Sequence, residues 1–175
     1  MISILLAFFW LADVRACACD VAQPSTLEAR ECSLCKAAEQ QPDMPPVFFL
    51  KDVNPSKPNR TLALPRKHYP KGHSLGDMSA KEREELWTAA IAKGSALWGE
   101  GWGMAYNGDE RRTQCHGHLH IGKLNADAEN EKFLVVAGPA EIPVPENGAG
   151  LWVHPVNGKL HVHAGEQVTE FNLMR

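Results

Sequence analysis

Residues 112–123 read RTQCHGHLHIGK, and three histidines in this run, His116, His118 and His120, stand at every second position. No other feature limits the fold as tightly. In an extended strand side chains alternate faces, and residues two apart stand about 6.6–6.8 Å from each other on one face. His116, His118 and His120 therefore share a face, with Gln114 in phase. Cys115, Gly117, Leu119 and Ile121 take the opposite face, and that set is small or apolar, as a face packed on a helix must be. The segment is expected to be a half-buried strand whose displayed half is imidazole. Three in-phase histidines are an expensive way to fill a core, because each polar ring kept from water needs a partner.

Two chemistries use such a row. One is metal binding, since imidazole is a common ligand. The other is attack on phosphate: a ring with an ordinary pKa near 6.5 is nucleophilic when neutral, and its neighbours can orient it or hold charge. The flanks favour phosphate. Arg111, Arg112 and Lys123 lie at the two ends, and Asn107 and Gln114 offer neutral amide donors. Phosphoryl transfer is mostly positioning and charge stabilisation, which is what these groups supply.

The remaining segments set an element order. Residues 25–40 read as a helix, with Ser25 and Glu28 as a capping box and Cys32 and Cys35 on one face. VFFLKDV (47–53) and RTLALP (60–65) read as strands joined by the turn NPSKPN. RKHYPKGHSLGDM is an irregular basic loop carrying His68 and His73. The clearest helix runs from Ser79 to about Trp98, with a second capping box at Ser79 and Glu82. WGMAYN (102–107), the histidine segment and FLVVAG (133–138) follow as strands, then a Pro/Gly loop, then strand-like sequence to Phe171. This order implies an α+β fold with a mainly antiparallel sheet.

In LWVHPVNGKLHVHAGE, Asn157-Gly158 is a strong two-residue turn signal. That turn sets Val156 against Lys159 and His154 against His161, and brings His163 to the same face beside Trp152. The plain reading is an exposed face of a C-terminal β-hairpin. A second metal site is the sharper one, and it lacks a carboxylate or thiol at obvious spacing.

The chain of 175 residues suits one domain, and its net charge of −3 gives no basic field for nucleic acid. ISILLAFFWLA (2–12) is too short to span a bilayer comfortably and fits the apolar core of a secretory signal cut after Ala16 or Ala18. Residues 1–18 are thus expected to be a signal peptide or N-terminal anchor, lipidation at Cys17 being an alternative, and residues 25–175 the domain. The five cysteines, an odd count, leave one thiol over in an oxidising compartment. The Cys32-Ser-Leu-Cys35 pair admits a disulfide, zinc or free thiols, and Cys115 reads as a small buried hydrophobe.

His116-Gly117-His118-Leu119-His120-Ile121 resembles the signature of the histidine-triad (HIT) superfamily. FFLKDVNPSKPNRTLALP, AYN and RTQCHGHLHI are similar to its CDP-diacylglycerol pyrophosphatase branch, over roughly residues 47–124. The resemblance implies a HIT-like sheet with two principal helices. It also implies a hydrolase of nucleotide phosphoanhydrides in which His118 forms a covalent nucleotidyl-histidine, His120 contacts the phosphate and His116 hydrogen-bonds nearby. Gln114, Asn107 and Arg112 fall at substrate-binding places. The reaction so implied needs no metal, while a structural zinc on Cys32, Cys35 and His68 is implied beside it, with His73 as a competing ligand. The expected partners are a nucleotide-containing small molecule or lipid, a membrane surface in the lipid case, and a second copy of the chain; nucleic acid is not expected. Gly117 stands where a bulkier residue is usual, and the chain is shorter than that branch. Hydrolysis or transfer on a soluble nucleotide is therefore the alternative within the fold, and a non-catalytic, exported metal-binding protein is the alternative outside it.

Overall fold

The computed structural model describes residues 14, 17–42, 44–69 and 74–175. The apolar run over 2–12, the junction after Ala16 and His73 lie outside the described residues. Among the described residues seven strands form one sheet: β1 (Val47–Lys51), β2 (Thr61–Pro65), β3 (Trp102–Tyr106), β4 (Leu119–Lys123), β5 (Leu134–Val136), β6 (Leu151–Val156) and β7 (Lys159–Ala164). Their spatial order is β1-β2-β4-β3-β6-β7-β5, and every pairing is antiparallel. With them, among the described residues, stand two α-helices, α1 (Ser33–Glu39) and α2 (Ala80–Trp98), in an α+β architecture.

α2 forms where the capping box predicts it. Glu82 N–H donates to Ser79 Oγ at 3.3 Å and Ser79 N–H donates to Glu82 Oε2 at 2.8 Å, so two otherwise unpaired amides are satisfied. The hydrogen bond from Lys67, then these bonds with Ser79, hold the Glu82 carboxyl down at about 2. The helix stops at Gly99, whose φ of 57° suits a residue without Cβ. Its buried stripe of Leu86, Trp87 and Ala90 shares one hydrophobic core with Met104, Leu119, Ile121, Leu151, Val153, Leu160 and Val162. These are the alternate residues of β3, β4, β6 and β7, so the period-2 pattern delivers one face of the sheet to that core.

The opposite face carries the histidines. A row of directly opposed residues runs across it: Leu62, His120, Ala105, Trp152 and His163. The register at the β6–β7 turn is the one the sequence predicts, with Val156 against Lys159 and His154 against His161.

Three expectations change. The histidine strand is shorter than its alternation suggests: β4 begins at Leu119, and His116 and His118 lie on the approach to it. Pro65, where β2 ends, has no N–H with which to continue the ladder, and its carbonyl accepts instead from the His116 ring. Residues 25–40 are not one helix but two 3₁₀ turns, Pro24–Glu28 and Arg30–Cys32, followed by the short α1. Thr26 Oγ1 bonds the backbone of Asp20 and Gln23, and Glu28 pairs with Lys36, so these side chains serve the loop rather than a helix cap. The chain after β7 is not strand to Phe171; it folds into a 3₁₀ turn at Thr169–Asn172, which the Thr169 hydroxyl ties to Tyr106 O at 2.8 Å.

The cysteines also differ. Cys19 is bonded to Cys32 and Cys17 to Cys115, leaving buried Cys35 as the free thiol among the described residues. Cys115 is thus buried as half of a cross-link and not as a simple apolar side chain. Disulfides of this kind belong to oxidising compartments. No described helix is long and apolar enough to cross a membrane.

Candidate active site

His118 and His120 line a cleft of about 580 Å³ together with Gln114, Asn107 and Arg112. The imidazole face is not displayed to water as the alternation suggests. His116, His118 and His120 are 0%, 6% and 7% exposed, because α1, the loop after β1 and the turn holding Glu170 cover that face and leave only the cleft open.

His118 is held by a local backbone bond. Its Nδ1–H donates to the His116 carbonyl at 2.8 Å, which fixes the tautomer and leaves the Nε2 lone pair unprotonated. Burial pushes the ring down to about 4, with the His116 carbonyl opposing and the Arg112 charge assisting. His120 sits 4.9 Å away, edge to face. Burial, then the His118 ring and the Lys57 and Arg60 charges, hold His120 well below the ordinary imidazole range. Both rings are therefore neutral at physiological pH. A buried neutral imidazole with one nitrogen donated to a carbonyl is a competent nucleophile toward phosphorus.

His116 does not join them. Its Nε2 bonds Pro65 O at 2.7 Å, and its ring packs against His68 at 5.1 Å, away from the cleft. What it contributes to the cleft is its backbone carbonyl.

The amides and the arginine reach the cleft with part of their capacity already used. Gln114 Nε2 donates to Arg30 O at 3.0 Å and its Oε1 accepts from Ser33 Oγ at 2.8 Å, so this residue fastens α1 to the histidine segment. Asn107 Oδ1 accepts from Glu170 N at 3.1 Å, which leaves its NH₂ as the end that can donate to a ligand. Arg112 is 3% exposed, is paired with Asp109 at 2.9 Å and lies over the Tyr106 ring. It acts as a fixed charge beneath the rings, while Arg111 is the exposed guanidinium at the cleft.

Sequence reasoning missed Asp52, Lys57 and Glu170. Glu170 Oε2 lies 3.6 Å from His120 Nδ1 and Asp52 Oδ2 lies 3.8 Å from it, beyond hydrogen-bond reach but close enough to bias its charge. Lys57 pairs with Glu170, and Arg60 holds the Glu170, Leu173 and Met174 carbonyls through three hydrogen bonds. Asp52 and Lys57 sit in the hairpin segment that the sequence singles out. Glu170 has no sequence signal, since only tertiary ties, from Thr169 to the end of β3 and from Glu170 itself to Asn107, Lys57 and Arg60, bring it here.

The zinc set Cys32, Cys35 and His68 does not assemble, because Cys32 is spent on Cys19. Cys35, His68 and His116 do converge, with ligand atoms within 4.8 Å of one another. Two of the three already have partners, His68 with Glu39 at 2.7 Å and His116 with Pro65. Burial pushes the Cys35 thiol up to about 11, which disfavours the thiolate a metal needs. These residues do not complete a structural zinc centre.

No family model matches the chain, and no curated protein matches it.

Proposed function

We propose that this chain is an exported hydrolase of the histidine-triad type that splits a nucleotide phosphoanhydride through His118. The observation that carries this reading is the 2.8 Å bond from His118 Nδ1 to the His116 carbonyl, which aims a neutral ring at a cleft with cations along its wall. Nε2 attacks the nucleotide phosphorus and the bridging P–O bond breaks. The electron pair leaves on the departing phosphate, a good leaving group that needs no strong acid. The His116 carbonyl supports the positive charge that develops on the ring, while the Asn107 amide faces the phosphoryl oxygens and the buried Arg112 adds its positive charge from beneath. Water then attacks the same phosphorus, its proton passing to His120 beside Asp52 and Glu170, and the nucleoside monophosphate leaves with His118 restored.

The leading substrate is CDP-diacylglycerol, giving CMP and phosphatidate, and a soluble nucleotide anhydride is the alternative. Export, whether to a periplasm, to the medium or to a membrane-anchored state, is supported by the two disulfides. Wild type and His118→Ala, incubated with CDP-diacylglycerol and a nucleotide panel with and without chelator, test the reading. Turnover lost in the variant, with a nucleotidyl-protein adduct trapped on wild type, is the expected result. No turnover of any substrate by folded wild type would leave a non-catalytic, metal-binding role in its place.

A further inference from the structure

The second group of histidines lies outside the cleft and takes no part in the reaction proposed above. His154, His161 and His163 stand on β6 and β7, on the same sheet face as His120. The carboxylate that sequence spacing lacked arrives from elsewhere. The loop between β4 and β5 brings Glu129 onto the three rings, so that ligand atoms from all four residues lie within 4.8 Å of one another.

We propose that Glu129, His154, His161 and His163 form a binding site for one zinc-class divalent transition ion. A tetrahedral ion with bonds of about 2.0–2.1 Å sets its ligand atoms about 3.3–3.4 Å apart. Glu129 Oε1 lies 3.3 Å from His161 Nδ1 and 3.5 Å from His163 Nε2, and His163 Nε2 lies 3.4 Å from His154 Nε2. Three edges of the tetrahedron are therefore at coordination spacing.

The rings are also held in place. His163 stacks on Trp152 at 3.7 Å with a 4° interplanar angle, and His161 stacks on Phe133 at 4.0 Å. His163 Nδ1 faces Asn130 Oδ1 at 3.4 Å, the outer contact that turns Nε2 inward. Glu129, Asn130 and Phe133 all come from one loop, so that loop is folded around the cluster. The remaining close contact, His154 Nε2 to Glu129 Oε2 at 2.7 Å, is a hydrogen bond whose proton the ion displaces. Three nitrogens and one oxygen in this arrangement suit zinc or its neighbours in preference to magnesium or calcium. Three strand spacings separate β4 from β7, placing the ion roughly 14 Å from the His120 position with Trp152 between. The ion is thus a fastener for the β4–β5 loop and not a participant in phosphate chemistry.

The test titrates the folded, metal-stripped full chain with Co²⁺ and with Zn²⁺, following visible absorption, proton release and heat. The expected result is one ion per chain, intense tetrahedral d–d bands without a thiolate charge-transfer band, and release of a proton on uptake. Glu129→Gln and His161→Ala, both at partly exposed positions, weaken binding by at least 10–100-fold, whereas Cys35→Ser leaves it unchanged. Uptake that survives in His161→Ala but disappears in Cys35→Ser would overturn the assignment. So would absence of stoichiometric uptake by folded wild type.

Discussion

Two histidine groups share one face of one sheet, yet their surroundings make them different objects. Around His118 and His120 the polar partners are a carbonyl, an arginine and carboxylates held just out of bonding range, with a cleft in front. Around His154, His161 and His163 a single carboxylate sits in the middle, and aromatic rings lock the imidazoles from the sides. The alternation that places the rings is the same in both. Whether such a row faces an opening or closes on a carboxylate is decided by loops distant in sequence.

That contrast can be broken by mutation. His118→Ala should lower turnover by at least about 10⁴-fold, as loss of a covalent nucleophile does, while His161→Ala changes turnover less than threefold; steady-state kinetics on both variants decides it. An equal loss in both would mean the two groups work as one site.

The cross-links come next. Cys17–Cys115 joins residues 98 apart, immediately before His116. Removing it with Cys17→Ser/Cys115→Ser should cost about 4–5 kcal/mol of stability in urea unfolding by loop closure, as an upper figure. Turnover should suffer more than metal uptake, because β6 and β7 carry no cysteine.

Acid should separate the two groups as well. On the proposed mechanism kcat/KM should stay level from neutrality down to about pH 5 and fall as pH drops through about 4, where His118 of the free protein protonates and loses its lone pair. The sign for folding is the same. The unfolded ring takes its proton near 6.5 and the folded ring only near 4, so the unfolded chain binds more protons between these values. Stability therefore falls as pH is lowered across that window, and urea unfolding at a series of pH values measures it. Ser79→Ala is the mild control: losing the α2 cap should cost about 1 kcal/mol and leave both histidine groups working, as unfolding and turnover together would show.

α2 was legible because its signals are local: the cap, the buried stripe and Gly99 all lie within the helix or beside it. The β6–β7 register was legible for the same reason, since Asn157-Gly158 fixes it alone. His118 and His120 were legible as cleft residues from alternation. His116 was not separated from them, because its departure depends on Pro65, a residue of another strand. The Cys19–Cys32 and Cys17–Cys115 pairing was hidden for a similar reason: spacing nominates Cys32 with Cys35, and only the folded path of residues 17–40 makes other partners nearer. Glu129 and Glu170 were illegible altogether, each delivered by a loop whose course no periodicity encodes.

Arg60 draws these distant pieces to one place, for its guanidinium grips the backbone of the last few residues while Glu170 stands beside His120. A protease trimming the chain back past Leu173 would remove two of the three carbonyls that Arg60 holds and leave Glu170 on the third alone. Nibbling from this end should loosen the residues beside His120 before it reaches any strand of the sheet.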